Sequence, residues 1–336
     1  MLNKEMILSI ETSCDETSIA VLKNGKELLA NVVSSQINKH KEFGGVMPEL
    51  ASRLHLENIM YCIDTALTEA KITYKDITLI VYTKGPGLIG ALHVGIQAAK
   101  AISVAHNIPL LGVDHMKGHI YSSRYISDFK FPLLTLVVSG GHSELVLMES
   151  EYEFKLLGET KDDAVGECYD KVARVLGLEY PGGPIIDRLA HEGENKYNLP
   201  YPKVEGKYDF SFSGLKTAVL NLVNNMKQKG ETFTNEDVAT SFQKRVVEIL
   251  TDKVILALDE YKVNQVLLAG GVSANKELRE TVVKRVNEKD SSIEVVLPPF
   301  WCCTDNAAMT AMAAYYSNES EYSIDDGVNP SLELND

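Results

Sequence analysis

His115 and His119 stand four residues apart in the stretch His115-Met116-Lys117-Gly118-His119. On a helix that spacing puts both imidazoles on one face, as two ligands of one metal ion require. Histidines of the core or surface that hold no ion are the ordinary alternative. Zinc proteases pair histidines in the same way but need a glutamate directly after the first as general base. Here that position is Met116, so peptide hydrolysis by that route lacks its base. Further on, Asp305 follows Trp301-Cys302-Cys303-Thr304 and could cap a helix, which alone would explain it. Cys302 and Cys303 make a poor zinc pair, because adjacent side chains rarely converge on one ion.

A second kind of chemistry lies in glycine turns. Val138-Ser139-Gly140-Gly141-His142 joins two apolar runs, Leu134–Val138 and Ser143–Met148, and reads as a β-hairpin. Adjacent glycines allow φ > 0 and leave no Cβ to keep a ligand away. Backbone N–H groups around such a turn make a nest for an anion such as a phosphate, although a tight hairpin needs no ligand. Lys84-Gly85-Pro86-Gly87 lies between a strand at 79–83 and a helix through Ala105; it aims a helix N-terminus at an anion or simply turns a corner. In Tyr180-Pro181-Gly182-Gly183-Pro184 the turn opens a helix with Asp187 in its first turn, where a carboxylate can accept ribose hydroxyls. Ala269-Gly270-Gly271 leads to Asn275, whose amide can pair with a base or ribose. Asp163, Glu167 and Asp170 fall near one helical face, which exceeds what capping at a positive helix end needs.

The third candidate is the turn Glu11-Thr12-Ser13-Cys14-Asp15-Glu16-Thr17, crowded with hydroxyls and carboxylates. It joins Ile7–Ile10 to Ser18–Leu22, and a solvated turn is the competing explanation.

Positioning these groups takes a specific set of elements. Two strand-turn-strand openings, each followed by a further strand and helices, predict a duplicated α/β domain with a cleft between the copies. Pro48 suits the first turn of a helix whose apolar stripe is Leu50, Leu54, Ile63 and Leu67. The preceding loop, 38–43, has local positive charge and reads as solvated. Residues 191–212 read as loop, Ser213 starts a helix, and Asn235 caps a long one with Val238, Phe242, Val246, Ile249 and Leu250 in the core.

Length and charge set the outer limits. A chain of 336 residues buries a sizeable core and suits two domains. Acidic residues outnumber basic ones 47 to 33, for a net charge of −14, so nucleic acid must be met by a local basic patch or a partner. Five cysteines without a CxxC spacing fit a reducing compartment. With no signal-like start and no apolar run of spanning length, a cytoplasmic protein with no membrane contact is expected.

Taken together, these stretches resemble the TsaD family of tRNA N6-adenosine threonylcarbamoyltransferases over nearly the full length. The match is carried by Glu11–Thr17, Gly45-Val46-Met47-Pro48-Glu49-Leu50-Ala51-Ser52-Arg53, Gly85-Pro86-Gly87-Leu88, His115 with His119, and Val138–His142. Asp162-Asp163-Ala164, Pro181-Gly182-Gly183-Pro184, Ala269–Asn275 and Thr304-Asp305-Asn306-Ala307 complete it. Small departures are Cys168-Tyr169 where the family has Ala-Phe, Ser143 where Thr is usual, and Asp114 where Asn is common.

The resemblance implies a duplicated actin-like ATPase fold of the ribonuclease H-like class, two lobes around a nucleotide cleft. The lobes would be 1–108 with 305–325, then 109–304, followed by a mobile acidic tail at 326–336. It implies one divalent metal ion per subunit, Fe2+ with Zn2+ as alternative, on His115, His119 and Asp305. L-threonylcarbamoyladenylate would meet Val138, Ser139, Gly140, Gly141, His142, Asp170, Gly183, Asp187 and Asn275. The implied reaction moves its threonylcarbamoyl group to N6 of adenosine 37, in the anticodon loop of tRNAs reading ANN codons. Glu11 or Asp15 would orient the amine or accept its proton, and a TsaB-like paralogue and a TsaE-like ATPase would be partners. Rival readings are a nucleotide-binding actin-fold scaffold, a sugar kinase and a metallopeptidase.

Overall fold

A computed structural model describes residues 2–318 and 324–334. The chain forms two compact units, the described residues of Met1–Asp128 with Phe300–Asp336, and Phe129–Pro299. Each is built on a five-stranded sheet.

The first sheet has strands β1 (Met6–Glu11), β2 (Glu16–Lys23), β3 (Glu27–Ser35), β4 (Leu79–Gly85) and β5 (Leu110–Asp114), in the order β3-β2-β1-β4-β5. β1, β2 and β3 form an antiparallel meander, and β4 and β5 add parallel strands beside β1. The second has β6 (Leu133–Val138), β7 (Ser143–Ser150), β8 (Glu153–Glu159), β9 (Gln265–Ala269) and β10 (Glu294–Val296), in the order β10-β9-β6-β7-β8. Read from the other edge, this is the same order with the same mixture of antiparallel and parallel pairs. The duplicated α/β fold expected from the two hairpins is therefore present. All six residues of β6 are buried, as a central strand covered on both faces requires.

Helices Pro48–Ala70, Ile89–His106 and Ala307–Tyr316 pack on the first sheet; Asn235–Glu260 and Lys276–Lys289 belong to the core of the second. Pro48 occupies the first turn as expected. The buried stripe of that helix differs from the expected one: Ala51, His55, Ile59, Cys62, Ile63, Ala66 and Leu67 are buried, whereas Leu50 and Leu54 are only partly covered. Two polar contacts reconcile His55 with its site, since Nδ1 meets Thr17 Oγ1 at 2.8 Å and Nε2 meets Cys14 O at 2.9 Å. The long helix Asn235–Glu260 is capped by Thr234, whose hydroxyl accepts from Asp237 N–H, not by Asn235.

The expected lobe boundaries need moving. β5 pairs with β4, and helix His115–Tyr121 packs on Ala307–Tyr316, so residues 109–128 belong to the first unit. The chain returns to that unit at Phe300 instead of 305. In the expected tail, Asn329 N–H donates to Lys84 O (2.8 Å), Gly87 N–H donates to Pro330 O (3.2 Å), and Leu334 is buried. The segment is seated on the Gly85–Gly87 turn; Asn335 and Asp336 lie outside the described residues. No helix among the described residues is long and apolar enough to cross a membrane.

Candidate metal centre and glycine-turn site

The histidine pair begins where β5 ends. Asp114 caps helix His115–Tyr121 by accepting from Lys117 N–H at 2.8 Å, which fixes His115 in the first turn and His119 in the next. Their rings lie edge to face with centroids 4.7 Å apart. Gly118 lets this helix approach Ala307–Tyr316, because a Cβ there would sit 3.2 Å from Met309 Cγ. Met116, in the position a zinc protease gives to glutamate, is buried.

Asp305 joins the histidines from the far end of the chain. It does not cap the following helix; Asn306 does, its side chain accepting from Ala308 and Met309 N–H. Asp305 Oδ1 lies 3.2 Å from His119 Nε2 and 3.6 Å from His115 Nε2. The potential ligand atoms of His115, His119 and Asp305 all lie within 4.8 Å of one another. His119 is fully buried, and among the described residues its Nδ1 has no hydrogen-bond partner, while its Nε2 faces the Asp305 carboxylate without hydrogen-bond geometry. A buried polar group without a partner costs roughly 1–3 kcal/mol. A cation between the imidazoles and the carboxylate would satisfy Nε2, so the residues fit a metal ion. Two nitrogens and one carboxylate oxygen also leave coordination positions for other ligands.

Glu11 lies behind His115, at the end of β1. Its carboxylate is fully buried and takes hydrogen bonds from Ser13 N–H (2.5 Å) and the Thr83 hydroxyl; Oε2 is 3.2 Å from His115 Nδ1. Ser13 Oγ is 3.1 Å from the same nitrogen. Burial lowers the His115 basicity, but the Asp305 and Glu11 carboxylates outweigh it and raise the pKa to about 9. Burial likewise raises the Glu11 carboxyl, and His115 outweighs it, leaving Glu11 below the usual carboxylate range. A metal cation held by these groups would displace the imidazolium proton. Asp15 is buried nearby in sequence, and its Oδ2 has no hydrogen-bond partner among the described residues.

In the second unit the hairpin turn is closed by Ser139 N–H donating to His142 O (2.8 Å) and His142 N–H donating to Ser139 Oγ (3.1 Å). Neither Gly140 nor Gly141 uses the φ > 0 that glycine allows. A Cβ on Gly140, Gly141, Gly183 or Gly271 would meet nothing within 4 Å, so space beside their backbone is open. Positive φ falls instead on Gly270 (+83°), where a Cβ would be 2.4 Å from Val138 O. Gly166 closes the other flank, for its Cβ would lie 2.6 Å from Ser139 O.

The polar residues expected around these turns hold the scaffold as well. Asp170 accepts from Gly182 N–H at 2.7 Å, and burial raises its carboxyl despite that bond. Asn275 caps Lys276–Lys289 through Oδ1 and donates from Nδ2 to Asp187 Oδ1 (3.0 Å) and Gln243 Oε1 (2.8 Å). Asp163 and Glu167 are tied up in ion pairs with Lys171, and Asp163 also pairs with Lys216. Sequence reading missed Ser13, Thr83, Gly118, Gly166 and Gln243. Only Ser13, inside a candidate turn, had any local signal.

Comparison with known proteins shows the family and the fold. The family model for TsaD, tRNA N6-adenosine threonylcarbamoyltransferase, matches residues 27–312. A protein of that name from Bacillus cereus is 54% identical over 332 residues, 98% of this chain and 96% of that one. Its counterpart from Halalkalibacterium halodurans is 54% identical over 337 residues, covering 99% and 98%. Among solved structures, component A of (R)-2-hydroxyglutaryl-CoA dehydratase from Acidaminococcus fermentans superposes with a TM-score of 0.53 at 16% identity. That match spans 92% of this chain and 97% of the other, and it speaks for the fold alone.

Proposed function

Because the chain belongs to the TsaD family, the tRNA N6-adenosine threonylcarbamoyltransferases, we propose that it forms N6-threonylcarbamoyladenosine in tRNA. It is an acyltransferase. The donor is L-threonylcarbamoyladenylate, the acceptor is N6 of adenosine 37 in tRNAs reading ANN codons, and AMP leaves. The observation that carries this reading is the convergence of His115, His119 and Asp305, with a fully buried His119 whose Nε2 faces the Asp305 carboxylate, in a chain 54% identical to enzymes of that name.

The acceptor amine is a weak nucleophile because its lone pair is delocalised into the adenine ring. Rate therefore has to come from positioning and from polarising the acyl carbonyl. A divalent ion on His115, His119 and Asp305, Fe2+ with Zn2+ as alternative, would supply Lewis acidity toward the acyl oxygens. The open glycines at 140, 141 and 183 suit the adenylate, whose phosphate accepts from backbone N–H groups. Val138, Ser139 and His142 frame that turn, while Asp170, Asp187 and Asn275 order the neighbouring one and offer polar atoms to the nucleoside. Glu11 or Asp15 would orient the amine or accept its proton, and the free buried Oδ2 of Asp15 supports Asp15. The adenine sits in a single-stranded loop, so no duplex has to open. The acidic surface is consistent with help from a TsaB-like paralogue and a TsaE-like ATPase, in the cytoplasm.

Mass spectrometry of nucleosides tests the proposal, using tRNA incubated with this protein, its partners and L-threonylcarbamoyladenylate. Modified adenosine is expected with wild type and not with His115→Ala. Failure of wild type beside demonstrably competent partners would leave a nucleotide-binding scaffold as the reading.

A further inference from the structure

The two histidines of the metal cluster are supported unequally. His119 has no hydrogen bond on Nδ1, whereas His115 Nδ1 faces Glu11 Oε2 at 3.2 Å and Ser13 Oγ at 3.1 Å. An ionised carboxylate only accepts, so against Glu11 the Nδ1 of His115 must carry the hydrogen. Nε2, the nitrogen turned toward Asp305, is then the one that would give up its proton to a cation. The carboxylate is itself fixed: Ser13 N–H holds one oxygen and the Thr83 hydroxyl the other, and the side chain is fully buried. With both oxygens committed and no exposure, Glu11 is a poor candidate to take a proton from a substrate amine.

We propose that Glu11 is a positioning residue: held by Thr83 and Ser13, it locks the tautomer and orientation of His115 and thereby sets how tightly the cluster retains its ion. The inference rests on the reading that His115, His119 and Asp305 bind a metal. Outer-shell carboxylates that grip a ligating imidazole typically account for 10–100-fold in metal affinity. Thr83 works one step further out, through the Glu11 carboxylate, so its loss has the same sign and a smaller size.

The test loads purified wild type, Glu11→Gln, Thr83→Val and His119→Ala with Co2+ or Zn2+. Ion loss to a competing chelator is followed by elemental analysis, and the Co2+ forms by their visible absorption. Glu11→Gln is expected to release the ion roughly 10–100-fold faster than wild type and to show altered Co2+ bands. Thr83→Val should lie between the two, and it decides the matter if Glu11→Gln does not fold. Restoring excess ion should return most of the transfer activity of Glu11→Gln. Wild-type retention in both variants overturns the proposal. So does a Glu11→Gln protein that stays inactive when saturated with ion, because Glu11 would then act on the substrate itself. If wild type holds no more ion than His119→Ala, the metal reading fails and this inference falls with it. That outcome is visible without any tRNA assay, and so is separable from failure of the transfer reaction.

Discussion

The loop between the two opening strands is Thr12–Asp15 in the first unit and Ser139–His142 in the second. Both join the central strand of a five-stranded sheet to its antiparallel neighbour, and the two sheets have the same strand order. The first loop is flanked by a fully buried glutamate and lies against an imidazole; the second exposes the backbone of two glycines. On the proposed reading, one copy of the scaffold serves a cation through side chains. Its twin suits an anion, through main-chain N–H groups that no Cβ covers. The two sheets place the turn at the same point, while its residue types differ and, on that reading, set which charge it serves.

The sharpest way to break this comparison is to remove a proposed ligand. His119→Ala should weaken the ion by more than the roughly 100-fold that loss of an outer-shell partner costs, as measured by chelator competition. Unchanged affinity would show that the first turn does not serve a cation. Next in size is Gly270→Ala, which combines a φ of +83° with a Cβ 2.4 Å from Val138 O. It should destabilise by about 2–4 kcal/mol, read by urea unfolding followed by circular dichroism.

Gly141→Ala sharpens the contrast from the opposite side. Nothing lies within 4 Å of its would-be Cβ, so stability should stay within about 0.5 kcal/mol of wild type. AMP binding, measured by calorimetry, should nevertheless weaken roughly tenfold as the methyl takes the ligand's space. Equal loss of stability in the two glycine variants would mean that both serve packing alone.

The smallest effect concerns Asp163. Burial raises its carboxyl, but Lys171 and Lys216, each at 2.8 Å, outweigh it and leave the group below its ordinary value of 3.8. A carboxyl depressed on folding lends stability that is complete above its unfolded pKa and is lost as the pH falls through the folded one. Asp163→Asn should therefore cost about 0.5–1 kcal/mol at neutral pH, and the variant and wild type should converge in acid. Thermal melts across that range would check it.

Much of this was legible in the chain itself. Periodic apolar runs around two turns gave the duplication, because alternation and burial of a central strand are local properties of sequence. The four-residue spacing of His115 and His119 gave a shared helical face for the same reason. Gly140 and Gly141 announced an open turn without using the positive φ that glycine allows, since a four-residue loop closed by Ser139 and His142 has no need of the left-handed region. Asp305 was ambiguous between cap and ligand until Asn306 was seen to take the cap.

Tertiary structure alone decided the rest. Thr83 reaches Glu11 across 72 residues of sequence, and Asn275 meets Gln243 and Asp187 from three separate segments. No spacing rule covers such contacts, because they depend on strand order and on how helices seat against the sheet. Glu11 shows the difference most clearly. Its type and its place in a polar turn nominated a catalytic base. Its complete burial, with both oxygens engaged, supports the proposed role of holding His115, for a carboxylate can take a substrate's proton only if the substrate can reach it.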